Sequence, residues 1–557
     1  DIYQQNCPVK RFRVKTDSNL GWETPLVQKL RRAKDRAYLM PSYPYLCKTL
    51  DIFLTKAKQS YYDRKVNSLK VGGGNWWRSI KSIDNGAKAR SPQAHYIVDN
   101  ALYDPQRFVD KLANYYATIA MCNNTTTEEC QSNDSSPNVN NHAVSIGEVK
   151  QYLRKINSSK SVHSEDYPPW VTKLCYEDLC VPITDIVNQS LQEAKYPMLY
   201  KQAEITPVPK HNSPASPKDY RPISLLWHVG KVAENFINKQ LRAFLLPKLH
   251  SNQFAYMDGV GCTDALVSLL DDVTRILDND ENIGSQLILY DFSKAFDMMQ
   301  HSLLLSKLRR FDIPKPMIHL IADYLTGRVQ CVHLKQHKTR SATTKCDVGV
   351  PQGTLLGPTL WLAFVDSLQF QHGISIKYAD DTSTLLPLPY QQTETTTNTP
   401  TAISFLPSIT GQALIDECHR WSCDNQMQLN ACKTKVVNIS LRKSLNMIGT
   451  YLVDGTHQIE IEEYAKLLGV HIDSHLSFSH HVETIKRAAN KKCHGLLLLK
   501  RAGVKQPSLV MLYKSQILPT ITHSSAAWYP YTTDYQQKDL EKSQKLALRI
   551  IFPEIES

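Results

Sequence analysis

No run of apolar residues reaches the roughly 18–20 positions that a membrane span requires. The most apolar stretches, "HGLLLLKRAGV" and "LILYDF", are much too short, so no membrane association is expected. Nor does any C-x-x-C pair occur among the 13 cysteines. The nearest spacings are Cys175/Cys180 and Cys418/Cys423, the second with His419 beside it. Free thiols in a reducing intracellular compartment, cytoplasm or nucleus, fit that scatter better than disulfides or a zinc site. N-x-S/T triplets such as the one at Asn123 then carry no weight. An apolar secretory segment is missing too. The chain opens on Asp1 and stops after "RIIFPEIES", and a piece of a longer polypeptide is expected. No internal repeat is found.

What is present suits a multidomain globular protein. A length of 557 residues corresponds to about two to four domains, and a hydrophobic content of 42% allows sizeable cores. The net charge of +12 is concentrated at one end. From Asp1 to Arg90 there are 19 Lys and Arg against 7 Asp and Glu, and the remainder balances at 46 against 46. A basic arm on a neutral body suits a polyanionic partner, most often nucleic acid, or else forms a solvated helical face.

The first part of the chain has helical periodicity in "TPLVQKLRRAKDRAYLM" and "YLCKTLDIFLTKAKQSYYDRKVNSLK". Thr24-Pro25 reads as an N-cap followed by proline at the first helical position. After "DPQRFVDKLANYYATIA" comes "CNNTTTEECQSNDSSPNVNNH", polar and without Lys or Arg, the best linker in the chain. "SIGE" at Ser145–Glu148 is a capping box. Beyond it helices and strands mix: "SQLILYDF" as a strand, "KAFDMMQHSLLLSKLRRF" as a helix, "VQCVHL" and "SATTKCDVGV" as a hairpin, and "GPTLWLAFVDSL" as a helix. The tail from about His471 is mostly helical.

The stretch "IKYADDTSTLL", Ile376–Leu386, sets Asp380 beside Asp381 between two apolar half-strands. Adjacent carboxylates repel each other and raise each other's pKa unless a cation offsets them. The chain carries its own control in Asp271-Asp272, which lies on a helical pattern and reads as a solvated face. A third carboxylate, Asp291, ends the hydrophobic strand "LILYD". If that strand pairs with the hairpin, Asp291 and Asp380 can share oxygen-only ligation of hard divalent ions, which suits Mg²⁺.

Seven blocks then occur in one order: "AEITPVPKHNSPASPKDYRPISLL", "SNQFAYMDGVGCTDAL", "LYDFSKAFD", "GVPQGTLLGPTLW", "KYADD", "MQLNACKTKVVNIS" and "KLLGVHIDSHLSF". Together they closely resemble the reverse transcriptase of non-LTR (LINE-type) retrotransposons, from about Glu148 to the C-terminus. The N-terminal "GWETPLVQKLRRAKDRAY…AKQSYYDRKV…NWWRSIK" is similar to the segment that follows the endonuclease in such elements. No endonuclease and no RNase H carboxylate set is identifiable.

The resemblance implies an α+β right-hand polymerase. Its expected parts are a basic helical extension (1–121), a polar linker (122–143), fingers and a palm with an antiparallel sheet (144–469), and a helical thumb (470–557) that is truncated at its C-terminus. It assigns Asp291, Asp380 and Asp381, with the Phe292 carbonyl, to two Mg²⁺ ions for which Mn²⁺ can substitute. Asp380 is the stronger ligand of the adjacent pair, because neighbouring strand side chains point to opposite faces. Phe296 matches the ring that excludes a 2′-hydroxyl; the alternative is a plain core phenylalanine. Lys210 and Arg221 match residues that hold the incoming triphosphate, although an exposed lysine in a proline-rich turn would look the same. Gln352 and Gly353 match nucleotide contacts. Lys433 is a candidate proton donor to pyrophosphate, with Lys435 as the alternative. Trp76, Trp77 and Arg78 suit stacking on unpaired RNA or else helix packing, and Lys486 and Arg487 suit a thumb helix over the template–primer duplex or else a solvated face.

The implied function is RNA-directed DNA synthesis, with an RNA template, a DNA primer or target-site DNA, and deoxynucleoside triphosphates as partners. Two rivals remain, an RNA-dependent RNA polymerase and a catalytically silent RNA-binding remnant.

Overall fold

The computed structural model describes residues 24–37, 40–62, 64, 67, 69–73, 76–77, 80, 96–98, 101–121, 143–211, 214–389, 409–442, 450–501 and 503–554. The chain forms two compact units, one made of Asp1–Ala94 with Phe478–Ser557 and the other of His95–Ser477.

In the first unit the helix Pro25–Arg36 starts as its sequence dictates, with the Thr24 hydroxyl accepting from the Val27 N–H and proline in the first turn. The two ends of the chain share one core. Trp76 and Ile80 are buried with Leu496, Leu499, Leu509, Ile517 and Ile551. The Asn67 side chain donates to the Gly503 carbonyl at 2.9 Å and accepts from the Lys505 N–H at 3.0 Å. Helix Ser479–Arg501 is tied to helix Asp534–Ile551 by a Lys486–Asp539 ion pair. The basic extension and the thumb, expected as separate domains, therefore fold together. Their amphipathic helices have one apolar face each, and burying those faces against one another removes both from water.

Ten elements build the site in the second unit, the first of them helix α1 (Pro105–Met121), which follows a short hairpin of Tyr96–Val98 and Ala101–Tyr103. Strands β1 (Gln202–Pro209) and β2 (Tyr220–Leu225) follow, then helix α2 (His228–Leu245). Next come β3 (Asn282–Tyr290), β4 (Arg328–Leu334) and helix α3 (Leu356–Val365). Strands β5 (Ile374–Tyr378), β6 (Asp381–Pro389) and β7 (Lys435–Ile439) complete the set.

Strand β1 pairs antiparallel with β2, Val208 opposite Arg221, and parallel with β4, Gln202 opposite Val329. Helix α1 buries Phe108, Val109 and Leu112 against Ile205, Tyr220 and Val332 of these strands. It was expected to end the basic extension. Its apolar stripe belongs instead to this sheet, so the expected boundary at 121 is corrected. Residues 122–142 of the expected linker lie outside the described residues. The Ser145 capping box forms, with the Glu148 carboxylate accepting from the Ser145 N–H at 3.1 Å.

The central sheet is antiparallel, in the order β5-β6-β3-β7. Strand β3 is buried from Ile283 to Tyr290, which explains the apolar run Leu287–Tyr290 ahead of Asp291, while the buried Gln286 amide donates to Asn438 and Tyr451. Helix α3 is buried along nearly its whole length and packs in the same core. One expectation fails locally. "KAFDMMQHSLLLSKLRRF" is not one helix but breaks into Ala295–Met298 and His301–Leu308. The Gly349 and Val350 N–H groups donate to the Met299 and Phe296 carbonyls at 2.8 and 2.9 Å, taking acceptors that a continuous helix would have used. No helix among the described residues is long and apolar enough to cross a membrane.

Candidate active site

Three strand ends meet at one edge of the central sheet. Thr382 lies opposite Tyr290 and Lys435 opposite Leu289. Extending those antiparallel ladders sets Asp291 between Asp381 on one side and Lys433 on the other. Tyr378 pairs with Asp381, so Ala379 and Asp380 form a two-residue turn. Ala379 is left-handed, with φ of 58°, a conformation that costs a non-glycine residue about 1–2 kcal/mol. The fully buried Trp361 holds it there, its indole N–H donating to the Ala379 carbonyl at 2.6 Å.

The carboxylates are under electrostatic load. Asp381 is exposed at the end of its strand, yet the protein packed around its carboxyl removes part of its hydration. Burial first, then repulsion from Asp380 and Asp291, pushes its carboxyl up to about 6, with Lys433 acting in the opposite direction. Lys433 Nζ lies 3.1 Å from Asp291 Oδ2, and the Asn430 amide donates to that oxygen at 3.1 Å. The Asn430 N–H donates to the Asp291 carbonyl at 2.8 Å. Residues 291 and 430 are thus a hydrogen-bonded pair, and by alternation the Phe292 carbonyl is not used by the strand Gln428–Leu429.

Among the described residues no three His, Cys, Asp or Glu side chains form a ready metal cage. The donor chemistry nevertheless fits a hard divalent ion. The ligands on offer are oxygen only, and one lysine faces three mutually repelling carboxylates. Lys435 is engaged elsewhere, with its ammonium on Glu462 at 2.5 Å. Cys418 is buried and Cys423 exposed on one helix, so they do not converge as ligands.

A cavity of about 590 Å³ opens above the carboxylates. Lys210, Arg221, Asp291, Phe292, Phe296, Gln352, Gly353, Asp380 and Lys433 all line it. Asp381 is not among its wall residues. Cations crowd one side. The Lys210 ammonium is held below its usual value by burial first and then by Arg221, Lys433 and Lys294.

The neighbours of these residues fix their positions. Phe296 packs on Trp361, ring centroids 5.4 Å apart. The Gln352 side-chain amide donates to both oxygens of Asp297 at 3.0 and 3.1 Å, and the Gln352 backbone carbonyl accepts from the Ser224 N–H at 2.9 Å. Burial pushes the Asp297 carboxyl up to about 6. Gly353 has φ of +113°, and a Cβ there would sit 3.1 Å from the Ser224 carbonyl, so glycine is required. Glu234 of α2 is buried and accepts the Leu355 N–H at 2.7 Å, anchoring the far end of the Gln352 loop.

Sequence reasoning missed Asp297, Glu234, Lys294, Tyr115 and Tyr116. Asp297 closes the "LYDFSKAFD" block and was in view. The tyrosines lie on α1, far away in sequence, and carried no signal. In the first unit Trp76 is fully buried, its indole donating to the Ser508 hydroxyl at 3.2 Å. It is a core residue, and the RNA-stacking expectation for it is corrected. Trp77 meets it edge-on at 4.7 Å. Arg78 lies outside the described residues. Lys486 pairs with Asp539, and Arg487 is exposed beside Glu483.

Residues 208–472 match the family described as "Reverse transcriptase (RNA-dependent DNA polymerase)". The chain carries a reverse transcriptase domain. It is 25% identical over 398 residues to the RNA-directed DNA polymerase from mobile element jockey of Drosophila melanogaster, covering 68% of this chain and 41% of that protein. With the probable RNA-directed DNA polymerase from transposon BS of the same species it shares 22% over 512 residues, covering 86% and 54%. These relatives of the reverse transcriptase domain belong to non-LTR retrotransposons. The chain thus spans about half the length of the curated relatives it matches. Apo telomerase from Candida Tropicalis superposes with a TM-score of 0.35 at 11% identity, over 63% of each chain.

Proposed function

We propose that the chain is the RNA-directed DNA polymerase of a non-LTR retrotransposon, acting within the cell to add deoxynucleotides to a DNA 3′-hydroxyl on an RNA template. The observation that carries this reading is the meeting of Asp291 with the Asp380-Asp381 turn on the floor of a cavity walled by Lys210, Arg221 and Lys433. The reverse transcriptase match and the retrotransposon relatives favour it over an RNA polymerase or a silent remnant.

Asp291, Asp380 and the Phe292 carbonyl would hold divalent ions, two Mg²⁺ or Mn²⁺ in their place, with Asp381 supporting from behind. When bound, such ions activate the primer hydroxyl and neutralise charge on the departing pyrophosphate. The remaining work is positioning and charge complementarity. Lys210 and Arg221 receive the triphosphate, Arg221 through its planar fork. The Phe296 ring, backed by Trp361, narrows the space where a 2′-hydroxyl would sit. Gln352, oriented by Asp297, presents its amide oxygen to the nucleotide. Lys433, whose ammonium stands 3.1 Å from Asp291 Oδ2 on the cavity wall, would donate a proton to the departing pyrophosphate.

Primer extension on a homopolymer RNA template, with and without Mg²⁺, tests the proposal. Asp380→Asn should lower extension by at least about 10²-fold while RNA binding persists. Undiminished extension by that variant would refute the metal-site assignment.

A further inference from the structure

Helix α1 precedes the reverse transcriptase match by more than eighty residues, yet it walls the same cavity. Tyr115, Tyr116 and Ile119 line it alongside Lys210, Arg221 and Lys294. The relation between Tyr115 and Lys294 is specific. Lys294 Nζ stands 4.4 Å from the centroid of the Tyr115 ring. Lys294 itself is left-handed, with φ of 52°, and begins the short helix Ala295–Met298 three residues after Asp291. That backbone conformation sends the chain toward α1 instead of straight on from β3. Tyr115 is in turn fixed, since its neighbours Phe108, Leu112 and Tyr116 are buried against the β1–β2–β4 sheet.

A lysine on a flexible four-carbon stem ordinarily spreads its ammonium over many rotamers. The face of an aromatic ring confines it by attraction to the ring quadrupole. Here the confined position lies on the wall of a cavity whose other cations are placed to receive phosphate. We propose that Tyr115 is a positioning residue of the nucleotide site, holding the Lys294 ammonium where it meets the triphosphate of the incoming deoxynucleotide. Helix α1 is then a working part of the polymerase. The inference rests on the function proposed above.

The test is steady-state incorporation of dTTP on poly(rA)·oligo(dT) by the full chain. Tyr115→Leu keeps apolar bulk and removes the ring face. It should raise the KM for dTTP about 3- to 10-fold, with kcat within about twofold. Tyr115→Phe should bring KM back toward the starting value. Lys294→Ala should raise KM similarly, and the double variant Tyr115→Leu/Lys294→Ala should be no worse than Lys294→Ala alone. Additive effects, or a Tyr115→Leu variant that melts lower with an unchanged KM, would make the contact merely structural and overturn the inference while polymerisation stands. No incorporation by the unmodified chain would remove the proposed function, and the inference with it.

Discussion

Lys433 holds Asp291 at 3.1 Å, so the cation nearest the carboxylate cluster is a side chain the chain itself supplies. Only two residues further on, Lys435 is bound to Glu462. The two lysines were indistinguishable in "ACKTK". Their partners separate them, because Lys433 precedes β7 and lines the cavity whereas Lys435 lies in the strand. Lys433→Met should slow single-turnover incorporation on the order of 10²-fold, and Lys435→Met should not. Equal losses in the two variants would return the proton-donor assignment to open choice.

Phe296 is clamped rather than loose, and clamping is what a steric filter needs. With its ring against Trp361 at 5.4 Å, it cannot easily retreat from an added hydroxyl. Phe296→Val should raise the ratio of ribonucleotide to deoxynucleotide kcat/KM by about tenfold or more. An unchanged ratio in competition assays would leave Phe296 as a packing residue alone.

Glu234 links the core to the Gln352 loop. Its buried carboxylate accepts the Leu355 N–H at 2.7 Å and the Tyr324 hydroxyl at 3.3 Å. Removing it takes the acceptor from the buried Tyr324 hydroxyl and from the partly buried Leu355 N–H. Glu234→Ala should cost about 1–3 kcal/mol in denaturant unfolding, and Glu234→Gln, which keeps an acceptor, should cost less. Equal costs for the two substitutions would mean that packing, not the acceptor, matters at this position.

The C-terminal end of α3 is bound by two buried lysines. Lys307 Nζ donates to the Phe364 carbonyl at 2.9 Å, and Lys377 Nζ donates to the Val365 carbonyl at 3.3 Å. Burial, and after it the nearby cations Arg310 and Lys377, pushes Lys307 down to about 7. Burial likewise pushes Lys377 down to about 8. An unfolded lysine keeps its proton to about pH 10. Above about pH 7 the unfolded chain therefore binds more protons than the folded one, and stability should rise with pH. Between about pH 7 and 8.5, below the ordinary range of cysteine, denaturant midpoints should increase, and Lys307→Met should flatten that slope. An identical slope in the variant would show that Lys307 keeps its charge in the fold.

Much of the site was legible because its parts are local. The apolar run ending in Asp291, the half-strands around Asp380-Asp381, the Thr24-Pro25 start and the Ser145 capping box each specify their own backbone over a few residues, and the structure contains each of them. The break after Met298 was not legible, because the groups that claim the Phe296 and Met299 carbonyls lie some fifty residues later.

What the sequence determined by itself was the set of short elements and the carboxylates at their ends, since strand period and turn chemistry act within a few residues. Tertiary structure alone decided that Trp76 is core, that the two chain ends share a unit, and that Tyr115 meets Lys294. Those outcomes depend on which apolar face is left to cover which other. That choice is made by the whole fold minimising its exposed apolar surface, and no local window of residues contains it.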